Sequence, residues 1–145
     1  MSWFSKKLKV QSPYDTLTVE QQRALYFLLE FFSEFTVDSS FGVVSSDAFN
    51  YLKKATWYLG LSNKDIKICR PYYKDLDDIY NKMRGIENKL ALDFMVNNSY
   101  NLVILSRGDN YKSSCEVFYS FWQRFGYSES DIYRITQKYM YRTDI

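Results

Sequence analysis

The chain has 145 residues, of which 46% are hydrophobic and 25% are charged, and these proportions suit one folded domain with its own core. Its formal net charge of +2 is too small for the clustered basic excess that is typical of nucleic-acid-binding proteins. The chain contains no histidine, which excludes Ser-His and Cys-His nucleophile pairs and His-ligated zinc sites. We therefore expect a protein that is not an enzyme and that uses no cofactor.

Other features of the composition favour a helical protein. Only 2 Pro and 5 Gly interrupt the chain, which favours long helices with short joins. The aromatic share of 19% can fill a core or line a binding surface. Cys69 and Cys115 lie in unlike segments and are expected to be buried thiols in the cytoplasm rather than a disulfide. No apolar stretch is long enough to predict a membrane span.

Residues 1–15 are expected to form a flexible lead before the domain. Two aromatic residues, Trp3 and Phe4, precede three lysines in this segment. A weak contact with an anionic membrane surface is one interpretation, and a tail that is disordered or packed on the domain is the other. Residues 16–145 are expected to form a single helical domain.

The first helix is predicted to start after Thr18, because Thr18 and Gln21 have the spacing of a capping box. Its apolar residues cover most of its circumference, which is typical of a central, buried helix. A loop that contains Gly42 follows, and either Ser45 or Ser46 can cap the second helix. The buried face of this second helix is predicted to consist of Phe49, Leu52, Ala55 and Leu59.

The segment Gly60-Leu61-Ser62 is predicted to end the second helix and to begin the third. Gly60 suits the left-handed position after a helix, and Leu61 supplies the hydrophobic contact of a Schellman motif. Ser62 can cap the next helix, with Asp65 at its third position. This helix is expected to be short, because Pro71 is unfavourable beyond the first turn of a helix.

The second half of the chain is predicted to hold four helices. The fourth covers residues 73–84, and the acidic residues in its first turn match the helix dipole better than they match a catalytic carboxylate pair. The fifth covers residues 87–105 and contains Asn97 and Asn98, which must be hydrogen-bonded if they are buried. A turn at Gly108 leads to the sixth, whose apolar residues are Val117, Phe118, Phe121, Trp122 and Phe125.

The sequence repeats the junction between the second and third helices. Gly126-Tyr127-Ser128 lies 66 residues after Gly60-Leu61-Ser62 and precedes the seventh helix, predicted over residues 129–141. At the same offset, the pairs Gly42 and Gly108, Ser62 and Ser128, and Asp65 and Asp131 are identical. We therefore predict an all-α bundle of about seven helices, with two similar units at about residues 20–70 and 86–136 related by an approximate two-fold.

Two of these motifs resemble the TerB-like domain family. They are the loop Gly42-Val43-Val44-Ser45 and the helix end Gly60-Leu61-Ser62, with a second copy at Gly108 and Gly126-Tyr127-Ser128. The family includes tellurite-resistance proteins and the N-terminal region of a membrane-anchored DnaJ-like co-chaperone. The resemblance covers residues 20–140 and implies an all-helical bundle with duplicated halves and a link to stress responses.

The chain departs from this family at the positions that are associated with metal binding. TerB-like loops usually place an Asp directly before the glycine and a Glu a few residues into the next helix. This chain has Phe41 and Ala48 at these positions of the first copy, and Arg107 and Ser114 in the second. A hard cation needs several convergent oxygen ligands, so no metal ligand is expected here.

These observations favour a non-enzymatic helical module that presents an aromatic-lined surface to an unidentified protein partner. Two alternatives remain open. The chain could be a sensor of a metal or of a stress ligand, as the resemblance implies. It could also be an accessory protein that binds single-stranded nucleic acid through the tyrosines and basic residues near its C-terminus.

Overall fold

The structure is a computed structural model of the chain and describes residues 12–36, 45–106 and 110–139. These ranges hold seven α-helices and no strand, which confirms the predicted all-α bundle. Short 3₁₀ turns continue the first three helices at Glu34–Thr36, Trp57–Leu59 and Arg70–Tyr72. The helices are α1 (Val19–Ser33), α2 (Ser46–Thr56), α3 (Asn63–Cys69), α4 (Leu76–Met83), α5 (Lys89–Leu105), α6 (Asn110–Gln123) and α7 (Glu129–Tyr139).

Polar side chains start the helices where the sequence predicts them. The capping box at α1 is complete: Gln21 N–H donates to Thr18 Oγ1 at 3.1 Å, and Thr18 N–H donates to Gln21 Oε1 at 3.0 Å. Ser45, rather than Ser46, caps α2 by accepting from the amide of Ala48. These bonds satisfy amides at the helix N-terminus that have no partner inside the helix.

Helix α5 lies at the centre of the bundle. It contacts α1, α2, α6 and α7, and α1 in turn packs against α2 and α4. Most residues of α5 are buried, including Leu92, Met95 and Leu102. A helix that is buried around most of its circumference must be surrounded by other helices, so α5 organises the core. No helix in the described ranges is long and apolar enough to cross a membrane.

The predicted helix bounds need two corrections. Helix α4 begins at Leu76 rather than at Tyr73, because Asp75 is its N-cap and accepts from the amide of Asp78 at 2.9 Å. Tyr73 lies outside the helix, and its buried ring stacks on Phe27 with centroids 4.9 Å apart. Helix α5 likewise begins two residues later than predicted, because the side chain of Asn88 caps it.

The end of the predicted lead belongs to the folded domain. Residues 12–15 form a turn in which Asp15 N–H donates to Ser12 O at 3.1 Å, and the Tyr14 side chain is fully buried. Burial of a phenol ring this deep ties the segment to the core. The domain therefore starts before residue 16, and residues 1–11 of the predicted lead lie outside the described residues.

The first of the two predicted junctions has the expected local geometry. Gly60 has φ of +69°, and its N–H donates to Trp57 O at 3.3 Å. Ser62 caps α3 by accepting from the amide of Asp65 at 3.0 Å. The carboxylate of Asp65 does not reach back to the cap but binds Arg23 of α1 through two bonds, at 2.6 and 2.9 Å.

The second junction shares the left-handed glycine and the serine cap, but it has a backbone bond that the first lacks, because Leu61 N–H makes no bond to Thr56 O. Gly126 has φ of +86°, and Tyr127 N–H donates to Trp122 O at 3.2 Å, which is the long bond of a Schellman motif. Ser128 and Asp131 form a complete capping box, with bonds of 3.1 and 3.0 Å. Gly42 and Gly108 lie outside the described residues, and the approximate two-fold between the units stays a prediction.

Candidate functional site

A groove of about 670 Å³ lies between α2 and α3, over one side of α1. We call it the α2–α3 groove. All three helices contribute to its walls, and the Trp57–Leu59 turn with Gly60 forms one end. The residues that define it are Tyr26, Phe49, Lys53, Trp57, Leu61 and Ile66.

Two large aromatic side chains at this groove are exposed to solvent. Trp57 is 78% exposed and Phe49 is 53% exposed, although the sequence predicts Phe49 in the buried face of its helix. The inward stripe of α2 is Ala48, Leu52 and Ala55, and Phe49 lies about 100° round the helix from Ala48. The pattern of apolar residues therefore predicts the helix α2 correctly. It also assigns Phe49 to the buried face, and this residue faces outward.

The position of Trp57 follows from the end of α2. The helix tightens into a 3₁₀ turn after Thr56, and Leu59 of this turn is buried. Trp57 stands two residues before Leu59, about 120° round the 3₁₀ turn from it, and points away from the core. The chain then reverses at Gly60, which sets α3 beside α2 and encloses the groove.

One basic residue lines the groove. This is Lys53, whose Nζ lies 5.6 Å from the centroid of the Phe49 ring. Within the described part of the chain, Lys53 forms no ion pair. The nearby Asp65 is neutralised by Arg23, whose guanidinium, through its hydrogen bonds, holds the pKa of that carboxyl below its usual range. The groove is thus apolar inside and basic at its edge.

Tyr26 separates this groove from a second pocket on the same helix. Burial, and after it the charge of Glu30, raise the pKa of Tyr26 to about 12. Glu30 is paired with Arg70, and burial raises the pKa of Glu34 above its usual range. The second pocket, of about 500 Å³, is lined by this Glu30–Arg70 ion pair together with Glu34, Lys67 and Lys74.

The two asparagines that interrupt α5 are buried, and their environments differ. The Oδ1 of Asn98 accepts from the Tyr51 hydroxyl at 3.0 Å, and Asn101 Nδ2 donates to the same hydroxyl at 2.7 Å. The expectation that a buried Asn is hydrogen-bonded therefore holds for Oδ1 of Asn98, whereas its Nδ2 has no hydrogen-bond partner among the described residues. It is wrong for Asn97, whose Nδ2 and Oδ1 have no hydrogen-bond partner among the described residues.

The other residues that the sequence selects serve helix junctions. Gly60 lies at the end of the α2–α3 groove, and Ser62 and Asp65 lie just beyond it. Gly126, Ser128 and Asp131 form the distant junction between α6 and α7.

Two observations on the described residues bear on metal binding. They contain no group of three or more His, Cys, Asp or Glu side chains that could hold a metal ion. At the helix positions of the metal-associated pattern, Ala48 and Ser114 are both fully buried. Trp57 and Lys53, which sequence patterns do not select, supply the exposed aromatic ring and the basic side chain of the groove.

Comparison with known proteins adds no family to this description. No known protein family, no curated protein and no solved structure matches the chain.

Proposed function

We propose that this chain is a non-enzymatic helical protein-interaction module, and that a segment of a partner protein binds in the α2–α3 groove. The observation that carries the proposal is the 78% exposure of Trp57 at the edge of a concave, largely apolar surface. Exposed apolar patches on a folded protein mark interaction sites, and Trp is among the residues that contribute most to binding energy at interfaces.

The character of the groove also supports this proposal. An apolar concave centre with a charged edge has the anatomy of a protein–protein interface. The thiols Cys69 and Cys115 are free, which suits a module that acts in the reducing cytoplasm. The TerB-like resemblance adds a stress-related role to this proposal.

A peptide-display selection tests the function without knowledge of the partner. A random peptide library is selected on the wild-type protein and on the Trp57→Ala and Tyr133→Ala variants. Tyr133, an aromatic residue on α7 outside the groove, is 68% exposed and serves as the matched control. We expect the same peptides to be enriched on the wild type and on Tyr133→Ala, and to be lost on Trp57→Ala because the aromatic wall is removed. Equal enrichment on all three proteins, or none on the wild type, would contradict the proposal.

A further inference from the structure

The α2–α3 junction can be compared residue by residue with the α6–α7 junction. Gly60 and Gly126 both have positive φ, and Ser62 and Ser128 both cap the following helix. Ile66 and Ile132, at the same offset, are both buried. The local backbone is therefore alike, and differences in the side chains explain differences in the surface.

Basic residues occupy equivalent places beside the two junctions. Arg23 binds Asp65, and Lys89 stands at the corresponding position to Arg23 in the second unit. Lys89 helps to lower the pKa of Asp131, after the larger effect of hydrogen bonds from Ser128. The long helix of each unit thus presents the same face to its junction.

In the second unit, two aromatic side chains fill the space at this junction. The fully buried Trp122 donates its indole N–H to Ser99 Oγ at 3.0 Å. The Tyr127 ring packs against it with centroids 5.6 Å apart, and its hydroxyl donates to Asp93 Oδ1 at 2.7 Å. These rings occupy the place that corresponds to the α2–α3 groove.

In the first unit, smaller side chains stand at these two positions. Thr56 corresponds to Trp122 and Leu61 corresponds to Tyr127, and both line the α2–α3 groove. The open groove is therefore the counterpart of a space that the second unit fills with its own aromatic rings. An aromatic side chain from outside would meet apolar walls there, as Tyr127 does in its own unit.

The charge at the groove indicates which residues of the ligand would stand beside its aromatic anchor. Lys53 lines the groove and has no acidic partner within the described part of the chain. An acidic side chain beside an aromatic anchor would therefore find a complementary charge.

We propose that the α2–α3 groove binds a segment of a partner protein in which an aromatic anchor residue stands next to an acidic residue, which would meet Lys53. This inference rests on the proposed function and names its ligand. The concave shape of the groove, with a volume of about 670 Å³, favours a side chain of a protein over the flat surface of an anionic membrane.

Titration calorimetry with synthetic peptides tests the inference. The probe is a short peptide with a central Tyr between glutamates, compared with the same peptide carrying a central Ala, or with lysines in place of the glutamates. We expect the first peptide to bind, and each change to weaken binding by about tenfold or more, because the anchor or the charge complement is lost. Binding of the first peptide is also expected to weaken at high salt.

Leu61→Tyr is the decisive variant, because it places in the groove the residue that fills the second junction. We expect it to lose peptide binding, whereas Ile68→Tyr, at an exposed position of α3 outside the groove, keeps it. If Leu61→Tyr does not fold, Trp57→Ala replaces it as the groove variant. Binding that survives either folded variant overturns the inference.

The display selection separates this inference from the function on which it rests. If the enriched peptides require Trp57 but lack an aromatic anchor or an acidic residue, the inference about the ligand is overturned. The proposed function as an interaction module is then still supported. No enrichment would overturn both. Sedimentation with phosphatidylserine vesicles adds a third arm: Trp57-dependent vesicle binding without peptide binding would identify a membrane surface as the partner and overturn the inference.

Discussion

At the scale of single residues, the ion pair between Arg23 and Asp65 joins α1 to the start of α3. The two side chains are about three-quarters buried and make two hydrogen bonds, a geometry stronger than that of most surface ion pairs. Hydrogen bonds from Arg23 are the main reason why the pKa of Asp65 lies below its usual range. A lowered pKa in the folded state means that the pair stabilises the protein only while the carboxyl is ionised.

This linkage predicts the pH dependence of the variant Arg23→Met. At pH ~7 we expect it to lower the free energy of unfolding by about 1 kcal/mol. The loss should be constant above pH ~4, the unfolded pKa of Asp, and should vanish as the pH falls through the lowered folded pKa. Urea unfolding over this range measures it. Arg134→Met is the control, because Arg134 meets Asp131 only at 3.7 Å on the surface. An effect of Arg23→Met that is independent of pH would contradict the assignment.

Asn97 and Asn98 are neighbours on α5, and substitution by Leu is expected to change the free energy of unfolding in opposite directions at the two positions. Asn97→Leu is expected to raise the free energy of unfolding by about 1 kcal/mol, because it removes a buried amide without a partner. Asn98→Leu is expected to lower it by about 2 kcal/mol, because the Tyr51 hydroxyl loses its acceptor. Chemical denaturation of the two variants beside the wild type measures both. Equal destabilisation by the two variants would show that Asn97 has a partner.

At the scale of secondary-structure elements, the chain reversals at Gly60 and Gly126 set the orientation of the helices that follow. Both glycines have positive φ, where an L-residue is strained, and both have open space where a Cβ would lie. The cost of a side chain at these positions therefore comes from the backbone and not from a clash.

We expect Gly60→Ala and Gly126→Ala each to lower the free energy of unfolding by about 1 kcal/mol. Gly85→Ala is the matched control: its φ is not positive, and a Cβ there would meet Gln21 Nε2 at an ordinary 3.6 Å. That variant should be neutral or slightly stabilising. Thermal and urea unfolding compare the three variants. If Gly85→Ala lowers the free energy of unfolding as much as Gly126→Ala does, positive φ is not the reason for the loss.

At the scale of the whole molecule, α5 makes the two units depend on one core. It contacts α1 and α2 of the first unit and α6 and α7 of the second. Residues such as Leu25 and Leu28 of α1 are fully buried. Without α5 the contact between α1 and α5 would be replaced by water, at a cost of about 25 cal/mol for each Å² of apolar surface exposed.

A fragment of residues 1–84 is therefore expected not to fold by itself, although it contains α1 to α4. Circular dichroism of this fragment should show little helix and no cooperative transition in urea. The full chain, as the control, should unfold in one transition. A cooperative transition of the fragment would show that the first unit has a core of its own.

Features that depend on a few neighbouring residues could be predicted closely. The capping box at Thr18, the cap at Ser62 and the left-handed glycines depend on local hydrogen bonds and local backbone geometry, which sequence patterns encode. The prediction for Phe49 was wrong. A periodic pattern identifies the apolar face of a helix, but it does not show how much of that face the neighbouring helices bury. Tyr14 was missed for a similar reason, since its burial depends on residues distant in the sequence.

Sequence patterns predict an all-α protein and the places where its helices start and reverse, and the composition excludes histidine chemistry. Tertiary packing is needed to find that Trp57 is exposed, that Asn97 is buried without a partner among the described residues, and that the α2–α3 groove is open where Trp122 and Tyr127 fill the second junction. The two sets of features differ in the range of the interactions that produce them. Caps and turns are decided within a few residues, whereas exposure and the filling of space are decided by which helices meet.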